Sequence, residues 1–188
     1  MTESLAGPIE TDRLRLIPGT VALARAEIHD RIEFARLLKA TIPGNWPPES
    51  LADALPLFLS WLEAAPDCIG WFGWYALAVH HDPAEPVLVG SGGFLGPPKN
   101  GAIEIGYSVL PQFQGHGYAT EMVSGLVQWA FGHPGLVTVA AETEWANPAS
   151  VRVLTKVGFN PVGLARKPNG VRFECSSGAE PFRNELTR

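Results

Sequence analysis

Gln112-Phe113-Gln114-Gly115-His116-Gly117-Tyr118-Ala119-Thr120 stands between a strand-like stretch, Ala102 to Leu110, and a helix-like one, Tyr118 to Phe131. Glycines at 115 and 117 let the backbone turn tightly and leave its N–H groups open to a ligand. The free N–H groups and dipole of a helix's first turn then make a site for a phosphate or pyrophosphate. The stretch is not a Walker A loop, because no Gly-Lys-Ser/Thr follows. Nor is it the dinucleotide fingerprint, which needs a third glycine and a βαβ start. Taken alone, two glycines also mark an ordinary turn.

C-terminal to this loop, Met122, Val123, Leu126, Val127, Ala130 and Phe131 form the apolar face of the helix, and Gly132-His133-Pro134-Gly135 stops it. Leu136 to Ala141 reads as a strand and Pro148 to Val157 as a helix. Asn147 sits at its N-cap, Pro148 at its first position and Gly158 at its end. Phe159 to Ala165 and Val171 to Cys175 form a closing hairpin. On the N-terminal side, Phe72 to Val79, Val87 to Leu95 and Ala102 to Leu110 are three strands with short connections, an antiparallel meander. Before them come a strand from Glu10 to Pro18 and a helix from Val21 to Ala40, with Ile28, Ile32, Ala35 and Leu38 on one side. A second helix runs from Glu49 to Ala64, with Pro56 inside it as a kink or a turn. The order β-α-α-β-β-β-α-β-α-β-β predicts a mixed α/β domain occupying residues 1–188.

The composition agrees. The chain has 188 residues, 46% hydrophobic and 18% charged, so apolar material for a core is ample and disorder is not expected. Fourteen basic against 19 acidic residues, a net charge of −5, argue against binding a nucleic-acid backbone. No apolar run reaches the ~18 residues of a membrane span. Met1 to Pro8 lacks the basic and apolar parts of a signal peptide, so the expected location is cytoplasmic. Twenty glycines and 17 prolines, about a fifth of the chain against a usual ~12%, predict short, sharply punctuated elements. Cys68 and Cys175 match neither a disulfide framework nor a metal spacing.

Gln112-x-x-Gly115-x-Gly117 opening a helix, then a strand, then Asn147-x-x-Ser150 and Gly158-Phe159, resembles the GNAT superfamily of acetyl-CoA-dependent N-acetyltransferases. Glu104-Ile-Gly-Tyr107, Tyr118-Ala-Thr-Glu121, Trp129-Ala-Phe131 and Ala141-Glu-Thr143 resemble its branch that includes the ribosomal-protein N-terminal acetyltransferases. The likeness covers roughly residues 10–165. It implies a mostly antiparallel central sheet with helices on both faces, whose fourth and fifth strands are parallel and splay apart around coenzyme A.

By that resemblance, Val109 and Leu110 would pair backbone groups with the pantetheine arm. The loop from Gln114 through Gly115, His116, Gly117 and Tyr118 to Ala119 would hold the pyrophosphate, and Asn147 would hydrogen-bond the pantetheine in competition with its capping role. An acceptor amine, mostly protonated at neutral pH, must lose a proton before it attacks the thioester. Glu104 lies where some relatives carry a glutamate base, with Glu142 and Glu144 in reserve; a strand carboxylate paired with an Arg is the plainer reading. Backbone N–H near Leu110 would meet developing negative charge. The usual tyrosine acid is replaced by Leu154. Ser150, or Tyr107, would then protonate the thiolate.

The implied activity is acetyl-CoA-dependent N-acetylation of a primary amine, at a protein N-terminus or on a small molecule, by direct attack in a ternary complex. Neither cysteine has the setting of a nucleophile. Trp46 falls where the resemblance puts the acceptor-site wall, although packing explains a tryptophan equally. His116 could touch a phosphate. His80 and His81 suggest no metal, for want of a third ligand. Two other readings stay open: a catalytically silent domain that binds acyl-CoA or a partner, and a nucleotide-binding module built on the glycine loop. The acceptor and the oligomeric state, monomer or homodimer, are not set by these residues, nor is the path of the chain after Pro168.

Overall fold

A computed structural model describes residues 6–79 and 85–178. The turn histidines His80 and His81 fall outside them. The strands are β1 (Ile9–Glu10), β2 (Leu14–Pro18), β3 (Gly73–Ala78), β4 (Val87–Phe94), β5 (Ala102–Val109), β6 (Thr138–Glu144), β7 (Asn160–Leu164) and β8 (Gly170–Ser176). The helices are α1 (Val21–His29), α2 (Arg31–Leu38), α3 (Glu49–Ala52), α4 (Leu55–Ala64), α5 (Tyr118–Phe131) and α6 (Pro148–Val157). The strands form one sheet in the order β1-β2-β3-β4-β5-β6-β8-β7. Every neighbouring pair is antiparallel except β5 and β6.

The middle of this sheet is covered on both faces, so β3 reads as an unbroken apolar run. Trp74, Ala76 and Ala78 pack in a cluster with Met122, Val123 and Leu126 of α5 and Leu154 of α6. Tyr75 and Leu77, pointing the other way, pack with Leu23 and Ala26 of α1, Phe34 and Leu38 of α2, and Trp46. Each fully buried side chain such as Leu126 contributes about 1.5–3 kcal/mol over an exposed one.

Helices α5 and α6 have the ends that their punctuation predicts. Three expected elements divide. The single strand from Glu10 becomes a hairpin, because Thr11 folds back: its N–H donates to the Leu14 carbonyl and its Oγ1 accepts from the Leu14 N–H. The helix from Val21 to Ala40 breaks at Asp30. There the backbone N–H closes α1 on the Ala26 carbonyl, and the carboxylate caps α2 by accepting from the N–H groups of Ile32 and Glu33. The apolar spacing through Ile32 is misleading, since that side chain is 84% exposed. The helix from Glu49 divides into α3 and α4, with Pro56 in the first turn of α4, where its missing N–H costs nothing.

One polar knot ties the β1–β2 turn to α5. The Glu121 carboxylate accepts from the Thr11 hydroxyl (2.6 Å), the Arg13 N–H (2.7 Å) and the Arg13 guanidinium (2.7–2.9 Å). Burial pushes the Glu121 pKa up, but these donors outweigh it and hold it below the ordinary carboxyl value. A depressed folded pKa stabilises the fold above the unfolded value of about 4.3, and that contribution fades as pH falls through the folded pKa. Glu121→Ala is therefore expected to cost about 1–3 kcal/mol in urea unfolding at neutral pH, with the deficit shrinking in melts taken below about pH 4.

Candidate active site

Strands β5 and β6 share three residue pairs, Ala102 with Thr138, Ile103 with Val139 and Glu104 with Ala140, and then part. Beyond the fork β5 stays bonded to β4 as far as Val109, and β6 stays bonded to β8 as far as Glu144. The Leu110 N–H donates to the Val89 carbonyl (2.9 Å). Successive residues of a strand present their N–H and C=O to opposite edges, so the groups of Val109 and Tyr107 face the gap. The Leu110 N–H, expected to face the pantetheine arm, is instead spent on β4, and the Leu110 side chain is buried. The Val109 carbonyl also accepts from the Gln114 Nε2 (2.9 Å).

The glycine loop lies at the wide end of the fork. Gly115 and Gly117 have φ of 79° and 84°, a left-handed conformation that side chains resist, and Gly117 is the N-cap of α5. No side chain caps this helix, so the N–H groups of its first turn, Tyr118 and Ala119 among them, are available to an anion. The Gln114 N–H is not, because it donates to the Pro111 carbonyl. Arg13, which nothing in the local pattern marks, braces the loop. Its Nη1 donates to the His116 carbonyl (2.9 Å), and its guanidinium lies 5.0 Å from the centre of the Tyr118 ring. The His116 ring stacks on the same tyrosine. The side chain of Gln112 is turned away, exchanging two hydrogen bonds with Asn45.

Across the fork the first turn of α6 faces β5. Asn147 caps α6 through Oδ1, which accepts from the Ser150 N–H (3.1 Å). Its Nδ2 has no hydrogen-bond partner among the described residues, so the cap and a donor to a ligand use opposite ends of one amide. The Ser150 hydroxyl lies 2.8 Å from the Tyr107 hydroxyl. The two alternative acids read from the sequence thus form one hydrogen-bonded pair spanning the gap. Burial raises the Tyr107 pKa and the bond to Ser150 works against it, with burial prevailing; the phenol keeps its proton at neutral pH. Leu154 is fully buried.

At the apex of the fork Glu104 sits in an ion-pair cluster that local sequence does not announce. Arg166, on the β7–β8 turn, places Nη2 2.5 and 2.6 Å from the two Glu104 oxygens and Nε 3.1 Å from Glu142. Arg172 lies 3.9 Å from Glu104 and 3.7 Å from Glu142, and bonds Glu174. Coulombic attraction to Glu104 and then Glu142 holds the Arg166 pKa above its ordinary value. These groups line a cleft of about 540 Å³ that also includes Glu144 and Asn147. The plainer reading of Glu104, a carboxylate paired with arginine, is what the geometry holds. Among the described residues no cluster of His, Cys, Asp and Glu is arranged to bind a metal.

A second pocket adjoins the cleft at Leu95, between the sheet and α1, α3 and α4. Trp46 is buried and does not line this pocket; its indole N–H donates to Glu27 (2.8 Å), which does. The Tyr75 hydroxyl donates to the other Glu27 oxygen (2.6 Å). Glu27 belongs to none of the sequence motifs. Its signal is an acidic residue on the stripe of α1 that Leu23, Ala24 and Ala26 bury.

Residues 13–160 match the acetyltransferase (GNAT) domain family. The chain is 32% identical over 152 residues to the uncharacterized N-acetyltransferase YjdG of Bacillus subtilis (strain 168), spanning 80% of this chain and 88% of that one. Among solved structures, the ribosomal-protein-S5-alanine acetyltransferase from Vibrio fischeri aligns with a TM-score of 0.60 at 18% identity, over 93% of this chain and 99% of that one. RimJ of Mycobacterium smegmatis, solved in complex with CoA-disulfide, aligns with a TM-score of 0.61 at 18% identity, over 91% and 86%. These structures share the fold; the family match and the identity to YjdG extend further. The chain belongs to the GNAT family of acetyltransferases, enzymes of acetyl-CoA-dependent acetylation.

Proposed function

We propose that this enzyme transfers the acetyl group of acetyl-CoA to a primary amine by direct attack while both substrates are bound. The observation that supports it best is the fork itself: an open strand edge and an uncapped helix N-terminus meet there, with the Tyr107–Ser150 pair between them. Acetyl-CoA supplies the acetyl group as a thioester. The N–H groups of Gly115 to Ala119, with His116, hold the pyrophosphate, Arg13 keeping the loop in place and adding positive charge. Tyr107 and Val109 offer backbone groups, and Asn147 its Nδ2, to the pantetheine arm. Glu104 accepts the amine's proton once Arg166 swings away; at 68% side-chain exposure, Arg166 is free to do so. Tyr107 and Ser150 return a proton to the leaving sulfur. A cytoplasmic setting suits this chemistry.

Three measurements check these roles. Coenzyme A is expected to raise the melting temperature, because a ligand of the folded state stabilises it as RT ln(1 + [L]/Kd). Gly117→Asp removes the shift by placing a strained side chain and a negative charge at the loop; a shift with ATP but none with coenzyme A would favour a nucleotide module instead.

Tyr107→Phe and Ser150→Ala are each expected to lower kcat about 10²-fold with little change in coenzyme A affinity. The double variant should lose little more than the worse single one, as members of one hydrogen-bonded unit do. Additive losses would separate the two hydroxyls.

Glu104→Gln is expected to reduce kcat at least about 10²-fold near neutral pH, with the loss shrinking as pH rises and the amine deprotonates unaided. A wild-type kcat at neutral pH would move the base to Glu144 or to water. Binding of coenzyme A with no turnover of any amine would favour the silent domain.

A further inference from the structure

The pocket beside the cleft has a floor without side chains. Gly73 of β3 pairs with Gly93 of β4, and Gly93 with Gly106 of β5, so three glycines form one row across the sheet. Gly93 is dictated by the backbone, since a Cβ there would lie 2.1 Å from the Phe72 carbonyl oxygen. Gly73 and Gly106 are not: neither has a positive φ, and a Cβ on either would meet nothing within 4 Å. Packing leaves room for a side chain at both positions, yet the surface is flat. The next row on the same face is polar, with Tyr75 opposite Ser91 and Ser91 opposite Ser108. It runs from Glu27 to the strand that borders the fork. Among the described residues the hydroxyls of Ser91 and Ser108 make no hydrogen bond, and both line the pocket.

Above this floor stand Leu51, Leu55, Phe58, Leu62 and Phe72, a wall of aliphatic and aromatic carbon. Glu27 is the one carboxylate lining the pocket among the described residues, and no Arg, Lys or His among them pairs with it. Its two oxygens are fixed by Trp46 and Tyr75, each keeping lone-pair capacity toward the pocket. Burial raises its pKa against the lowering effect of the Tyr75 and Trp46 bonds. The volume, about 280 Å³, falls just under the ~300–1,000 Å³ of drug-sized ligand sites and suits a small molecule.

We infer that this pocket is the acceptor site and that it takes a small primary amine carried on a flat apolar ring, an arylalkylamine. The ring lies on the glycine floor against the Leu55–Phe58 wall. Glu27 balances the ammonium charge, and Ser91 and Ser108 hydrogen-bond the nitrogen on its way to the fork. The inference rests on the acetyltransfer reading above and narrows its acceptor.

Binding and turnover are to be measured separately. By calorimetry on the protein saturated with coenzyme A, 2-phenylethylamine is expected to bind, Glu27→Gln to weaken it at least tenfold, and Gly73→Val, which fills the floor, to abolish it. Both variants should keep the wild-type melting shift with coenzyme A. In acetyl-CoA consumption assays, 2-phenylethylamine should exceed spermidine, an aminoglycoside and alanine- or serine-initiated peptides at least tenfold in kcat/KM. For Glu27→Gln the loss should fall on the KM of the amine, with the KM of acetyl-CoA unchanged. No binding of 2-phenylethylamine to the wild type, equal binding to Glu27→Gln, or preference for a peptide or polyamine overturns the inference and leaves acetyl transfer standing. Tight amine binding that responds to both substitutions, with no acetylation of any amine, overturns the function and leaves the pocket standing.

Discussion

The parting of β5 and β6 is the constraint on which the other features of the site depend. A parallel pair that stops after three residues leaves backbone groups on two strand edges without partners, and an unmade buried hydrogen bond costs about 1–3 kcal/mol. The edges cannot close on each other because each strand is committed elsewhere. Residues Ile105 to Val109 are registered against β4, and all seven residues of β6 against β8. The gap is thus held open by the pairs on either side. A ligand able to supply alternate donors and acceptors along an extended arm satisfies what the fold leaves over. The backbone groups that face the gap are those of Tyr107 and Val109, whereas the Leu110 N–H is spent on β4.

Charge is segregated around this gap. The chain is acidic overall, but the loop at the wide end carries Arg13 and the unpaired N–H groups of α5, a setting for an anion. Glu121 supports that arrangement from behind. Its carboxylate orients Arg13 and also favours the N-terminal end of the helix dipole, so one interaction fixes the β1–β2 turn and the loop. At the apex the order is reversed. Glu104, Glu142 and Glu174 share two arginines, which leaves the cleft close to neutral but rich in groups able to exchange partners.

What could be read from the sequence was whatever local chemistry writes. The ends of α5 and α6, the left-handed glycines and the Asn147 cap follow from residues within four positions of each other, and the structure places them where those residues indicate. The break at Asp30 was equally local, a good cap residue, but the continuing apolar spacing concealed it and put the exposed Ile32 in a core. The rest is tertiary. Arg166 meets Glu104 across 62 positions, Tyr107 meets Ser150 across 43 and Tyr75 meets Glu27 across 48. No spacing rule reports such pairs, because the sheet order brings them together and not the local periodicity.

The two glutamates that face the substrate side differ in a way that bears on their work. Glu104 holds an arginine and is only partly exposed, so its negative charge is already compensated; releasing it requires a competing cation or the departure of Arg166. Glu27 holds two neutral donors, which position its oxygens without cancelling their charge. A cationic amine gains more from the second than from the first, since nothing has to be displaced. In the proposed reaction, recognition of the ammonium would fall to Glu27 and removal of its proton to Glu104, with the exposed Arg166 of the β7–β8 turn between the two events.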